Sequence, residues 1–92
     1  MRKIEQEMVQ AINNRQQFDK GNTFVMIDRY NRVTVYLHGN RIAYQGPSGG
    51  PLVIDRVTWK RWSTPTTRSR LHALGFDVSI KNGQAMVGGF PA

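Results

Sequence analysis

The chain has 92 residues, with 13 Lys+Arg against 6 Asp+Glu, a formal net charge of +7 and a pI near 10.6. That length makes one small domain whose core can fold alone with little to spare. The lack of cysteine excludes a disulfide framework and a thiolate metal site; no apolar run approaches the ~20 residues of a membrane span; and the polar, charged N-terminus has no apolar segment of the kind a secretory signal needs. Hydrophobic content of 39% and a mean hydropathy of -0.49 describe a soluble globular chain rather than a disordered tail.

The charge is unevenly placed. Between Arg29 and Phe76 the sole acid is Asp55, while the same span holds Arg29, Arg32, Arg41, Arg56, Lys60, Arg61, Arg68 and Arg70. Arginine outnumbers lysine there, which suits bidentate contacts with phosphate or carboxylate. A polyanionic partner follows: DNA or RNA through the phosphate backbone, or an acidic protein surface.

In chain order, residues 3–15 predict an amphipathic helix. Ile4, Met8, Ala11 and Ile12 line one face at i, i+4, i+7 and i+8, and Glu5 and Glu7 lie near its positive end. Residues 16–22 read as a polar connection with Phe18 tucked back and a turn at Gly21-Asn22. Residues 23–28 are rich in strand formers, and 29–32 form a hairpin loop with Tyr30 at its tip. Val33, Val35 and Leu37 alternate with Thr34, Tyr36 and His38, and Gly39-Asn40 is read as a two-residue turn. That register sets Leu37 against Ile42 and Val35 against Tyr44, so Ile42 and Tyr44 continue the apolar face. Residues 45–51 read as a Gly/Pro loop without a phosphate-binding motif. Leu52–Asp55 restarts a strand that can run on to Trp59, which would put Val57 and Trp59 on one inward face.

The most informative stretch follows. Thr64 fits an N-cap, Pro65 the first helical position and Gly75 the C′ residue, which defines a short helix over 65–74. Its start carries Thr66 and Thr67 and is flanked by Arg61, Arg68 and Arg70, a setting that suits an anionic oxygen. Trp62 is read either as a staple against that helix or as an exposed anchor for a base or a partner. A second hairpin then runs through Phe76, Val78 and Ile80, turns at Asn82-Gly83 and returns through Ala85 and Val87. The fold class is α+β: a mainly antiparallel sheet of about five or six strands with an N-terminal helix and a second short helix. An open sheet edge offers one route to a homodimer.

No catalytic constellation is visible. His38 and His72 lack partners for a metal site, the six acids are scattered, and no nucleophile elbow occurs. The chain is read as a non-enzyme without cofactors. Three stretches, Lys20-Gly21-Asn22-Thr23, Leu37-His38-Gly39-Asn40-x-Ile42-Ala43 and Thr66-Thr67-Arg68-Ser69-Arg70-Leu71-x-Ala73-Leu74, resemble small accessory proteins of tailed bacteriophages and prophages. The resemblance implies a place in the bacterial host cytoplasm, in host takeover or genome handling, and it transfers no catalytic residue.

The functional expectation is nucleic-acid binding through phosphate contacts. Arg61, Arg68, Arg70, Thr66 and Thr67 would be at its centre, Arg56, Lys60 and Trp62 would assist, and Tyr30 and Arg32 would form a further exposed cluster. Two alternatives stand beside it: inhibition of a host protein by direct contact, and a structural role in the virion.

Overall fold

The computed structural model describes all 92 residues. Helix α1 (Lys3–Asn13) leads into a five-stranded antiparallel sheet in sequential order: β1 (Phe18–Lys20), β2 (Thr23–Ile27), β3 (Val33–Leu37), β4 (Asn40–Gly46) and β5 (Gly49–Ile54). Helices α2 (Arg56–Arg61) and α3 (Pro65–Ala73) follow, and the chain ends in a small sheet of β6 (Val78–Lys81), β7 (Gln84–Val87) and β8 (Phe90–Pro91). The architecture is α+β, as expected, with more and shorter strands.

One face of the main sheet is buried. Val25, Val33, Val35, Leu37, Ile42, Ala43 and Ile54 meet Met8 and Ile12 of α1, Trp59 of α2, Leu71 of α3, and Val78 and Ala85 of the small sheet in a single core. The other face is open to solvent and carries Phe24, Tyr36 and Tyr44. The Phe24 and Tyr36 rings lie 5.8 Å apart across β2 and β3, and the Arg41 guanidinium sits 3.9 Å from the Tyr44 ring centre.

Several local expectations are corrected. The first turn is His38-Gly39 rather than Gly39-Asn40, because Leu37 pairs with Asn40 and both turn residues take positive φ, 51° and 78°. A type I′ turn needs that sign at both positions and takes glycine readily at the second. A bulge then absorbs one residue of β4, so Val35 pairs with Ala43 and Thr34 with Tyr44. Ile42 and Ala43 are both buried, and Tyr44 emerges on the open face instead of continuing the core.

The polar connection 16–22 contains β1, and residues 45–51 are mostly strand. Gly46 pairs with Gly49 around Pro47-Ser48, and Pro51 is accommodated because β5 is an edge. The opposite edge, β1, is three residues long and carries Asp19 and Lys20, so both edges have features that discourage further pairing. Residues 56–61 are helix, not strand. Asp55 is the N-cap, its Oδ1 accepting from the Thr58 amide at 3.0 Å, and this ends β5. Trp59 points inward as expected, with its Nε1–H donating to the Met86 carbonyl at 3.1 Å, whereas Val57 is 70% exposed. In the second hairpin the turn and register are as read, but Ile80 lies at the surface while Met86 is buried.

The turn chemistry gives a direct test. A Cβ added at Gly39 would meet nothing within 4 Å, so its cost is the backbone conformation alone. Gly39→Ala is expected to lower unfolding free energy by about 1 kcal/mol in urea titration, with an unchanged m-value.

Candidate nucleic-acid interface

Four of the cations are held in ion pairs: Lys20 with Glu7, Arg32 with Asp28, Arg41 with Asp55 and Arg70 with Glu5. The remaining nine face solvent without an acidic partner, and what matters is where they gather.

The largest gathering is on α2. At 100° per residue, Arg56, Lys60, Val57 and Arg61 fill a contiguous arc of about 140° opposite Trp59. All four are exposed. The nearest acid in sequence, Asp55, cannot neutralise them. Its Oδ1 caps the helix, and its Oδ2 accepts from Arg41 Nε at 2.9 Å. Burial disfavours the Asp55 carboxylate, but the Thr58 amide and Arg41 outweigh that and hold its pKa below the usual range. Trp62 follows directly, 48% exposed, and forms one wall of an apolar cavity of about 290 Å³. Leu37 and Ile42 are at its base, and His38, Asn40, Thr58 and Thr64 surround it. The three assisting residues of the sequence reading, Arg56, Lys60 and Trp62, therefore sit together with Arg61, one of its central residues, on one helix and its end.

The expected centre does not assemble around the start of α3. Arg70 is buried, with Nη1 2.8 Å from Glu5 Oε2, Nε donating to Thr23 Oγ1 at 3.1 Å and Nη2 to Asn22 Oδ1 at 3.3 Å. It is a structural residue, buried and paired, and is not presented to a phosphate in solvent. Thr67 is also buried, its hydroxyl bonded to Thr64 and its amide donating to Thr64 Oγ1 at 3.1 Å. Pro65 has no N–H, so Thr66 is left as the one free amide of the first turn, too little for an anion site. Arg68 is exposed but shares a shallow groove with Arg2 and His72, and no α2 side chain lines that groove.

Tyr30 and Arg32 lie elsewhere, in the turn between β2 and β3. The Arg29 and Arg32 guanidiniums each lie 4.9 Å from the Tyr30 ring centre, and Arg29 donates to the Tyr30 hydroxyl at 2.9 Å. The turn is fixed by Asp28, whose Oδ1 accepts from the amides of Arg32 and Tyr30. Those bonds, with the Arg32 side chain, hold the Asp28 carboxyl below its ordinary range.

Sequence reading missed Glu5 as the partner of Arg70 and missed the open aromatic face. Glu5 falls within the apolar stripe of α1, at i, i+3 and i+7 with Met8 and Ile12, and an acid there requires a buried cation. Tyr44 joins Phe24 and Tyr36 on that face because of the β4 bulge, which leaves no signal in the alternation.

Fold and surface define a small, strongly basic α+β protein in which three of the nine unpaired cations share the outer face of a short helix ending in an exposed indole. No group of three or more His, Cys, Asp or Glu side chains comes close enough together to hold a metal ion, and no helix is long and apolar enough to cross a membrane. Residues 1–90 match the Kyanoviridae Gp96 protein family, and the chain belongs to that family. It is a phage protein, in agreement with the resemblance drawn from its sequence. No curated protein and no solved structure matches it.

Proposed function

We propose that this phage protein is an accessory factor of the bacterial host cytoplasm that binds nucleic acid without catalysis, through the outer face of α2. The observation that carries the reading is the joint exposure of Arg56, Lys60, Arg61 and Trp62, with none of the three cations held in an ion pair. Guanidinium and ammonium groups on one helical arc would contact successive phosphates, which position a strand without reading its sequence. The indole and the cavity behind it suit an unstacked base, since aromatic stacking is tolerant of base identity. Single strands are therefore preferred over duplex.

Fluorescence anisotropy with labelled single-stranded DNA, single-stranded RNA and duplex DNA at low salt tests this. Salt-sensitive binding with single strands favoured is expected, and no binding to any of the three ends the proposal. Trp62→Ala should weaken single-strand binding by about tenfold and duplex binding much less. The half-buried indole also covers Leu37 and Ile42, so the melting temperature should fall by a few degrees and binding is compared where both proteins are folded.

A second reading rests on the same exposed apolar groups. Val57 and Trp62 beside arginines also resemble an anchor for a protein partner, which would make the chain an inhibitor of a host protein. Recovery of one stoichiometric host protein from nuclease-treated lysate would favour it. Recovery that depends on intact nucleic acid favours the first. Detection of the chain in purified particles would point instead to a virion component.

A further inference from the structure

At the end of the main sheet away from Trp62, three segments distant in sequence enclose a cleft of about 520 Å³: the end of α1, the β2–β3 turn and the β4–β5 turn. Its wall includes Arg15, Tyr30, Arg32 and the bare backbone of Gly49 and Gly50. It is polar, open and free of acidic lining. The one acid beside it, Asp28, already accepts three hydrogen bonds from the turn it organises.

Two features mark the cleft as built. Gln45 braces two of its walls, its Oε1 accepting from the Val33 amide at 2.9 Å and its Nε2 donating to the Gly50 carbonyl at 2.6 Å. Arg15 occupies a position that sequence preference assigns to glycine. It is the C′ residue of α1, with φ of 52°, and the bonds Gln16 N–H to Ala11 O and Arg15 N–H to Ile12 O close a Schellman motif around it. A side chain in that conformation is unfavourable for backbone stability. Its guanidinium reaches the Ile12 carbonyl and the cleft wall. Glycine would suit the backbone better but would lose the bond to the Ile12 carbonyl, and that bond leaves the guanidinium's other donors facing the cleft.

We propose that this cleft is a second ligand site, separate from α2, that takes a phosphoryl group carried on a molecule of nucleotide size. Arg15 supplies unpaired charge, Arg32 adds guanidinium donors while paired with Asp28, and Arg29 stands beside it through Tyr30, which holds both turn guanidiniums in place. Glycine backbone at 49 and 50, where an added Cβ would meet nothing within 4 Å, admits close approach of the ligand. With one hydrophobic residue among its nine, the lining suits a polar ligand better than a lipid or a drug-like hydrophobe. The phosphoryl group can belong to a free nucleotide or to a nucleic-acid strand.

Amide chemical-shift mapping on the full chain at low salt separates these, with inorganic phosphate, ATP and a short single strand of DNA without terminal phosphate as probes. Saturable shifts at Asn31, Ser48, Gly49 and Gly50 are expected. Their appearance with phosphate and more strongly with ATP identifies a free nucleotide, and their appearance with the strand alone identifies nucleic acid. No shift there with any probe overturns the proposal. Arg15→Gly should lose affinity by at least about tenfold without a fall in melting temperature, and Arg15→Gln should lose it at unchanged stability. Wild-type affinity in either folded variant would overturn the assignment. A variant lacking the α2 cations should still bind at the cleft. Loss of the cleft shifts in that variant would mean the site is not separate, whereas retained shifts with no α2 binding would sink the α2 reading alone.

Discussion

Arg70→Ala is expected to cost about 3–5 kcal/mol of folding free energy, because it strands a buried carboxylate. The Arg70 and Glu5 side chains are 4% and 2% exposed. Glu5 Oε2 accepts from Arg70 and from Ser69 Oγ, and Oε1 accepts from the Arg2 amide at 3.1 Å at the start of α1. With Arg70 bonded to Thr23 and Asn22, this one cluster joins α1, α3 and the start of β2. A domain of this size has on the order of 5–14 kcal/mol in total, so the loss should appear as a large drop in urea midpoint or as failure to fold. Arg70→Lys should be nearly as harmful, since an ammonium cannot reproduce the guanidinium fork. The double variant Glu5→Leu/Arg70→Met should recover part of the loss. Recovery stays partial because the Ser69 and Thr23 hydroxyls still lose partners.

The same cluster contributes to the acid limit. Burial opposes ionisation of Glu5, but the bonds from Ser69, the Arg2 amide and Arg70, with the Arg70 charge, outweigh it and hold the carboxyl below its ordinary value of 4.5. A carboxyl depressed in the folded state contributes its full stability above the unfolded value, and loses it as pH falls through the folded one. Stability should be flat at neutral pH and fall below about pH 4.5, more shallowly in a folded variant lacking Glu5.

The second large effect is expected on binding. Replacing Arg56, Lys60 and Arg61 together by alanine should reduce single-strand affinity on the order of 10²-fold at low salt. It should also flatten the dependence of log K on log salt by about 2, at roughly 0.7 per phosphate contact. Alanine favours helix, and the three side chains are exposed, so the fold should persist. The informative control removes equal charge elsewhere, from Arg2, Lys3 and Lys81, which also lack acidic partners. If that control loses as much affinity as the α2 variant, the overall field of the protein, not the α2 face, is responsible.

Where the sequence was legible, local chemistry was sufficient. Thr64-Pro65 begins α3 and Asn82-Gly83 turns the last hairpin as their residue types require. Where it was misleading, two local rules competed. Val57, Thr58 and Trp59 favour strand by residue type, yet Asp55 at N-cap spacing from Thr58 decides for helix. That error separated Arg56, Lys60 and Arg61, which share a surface only once the segment is helical. Arg70 was misread for another reason. Nothing local distinguishes a solvated arginine on a short helix from one paired with an acid 65 residues earlier. The clue lay in α1, where Glu5 interrupts an apolar stripe. The cleft at Arg15 was the least legible, because it is assembled from three turns whose approach depends on the register of the whole sheet.

The most direct test of the α2 assignment is a footprint of bound single-stranded DNA on the backbone amides of the wild-type protein. Shifts clustered over residues 56–64, with the Trp62 indole N–H among the largest and that of the buried Trp59 nearly still, are the predicted result. A footprint confined to the open face of Phe24, Tyr36 and Tyr44, or to the groove of Arg2 and Arg68, would contradict it.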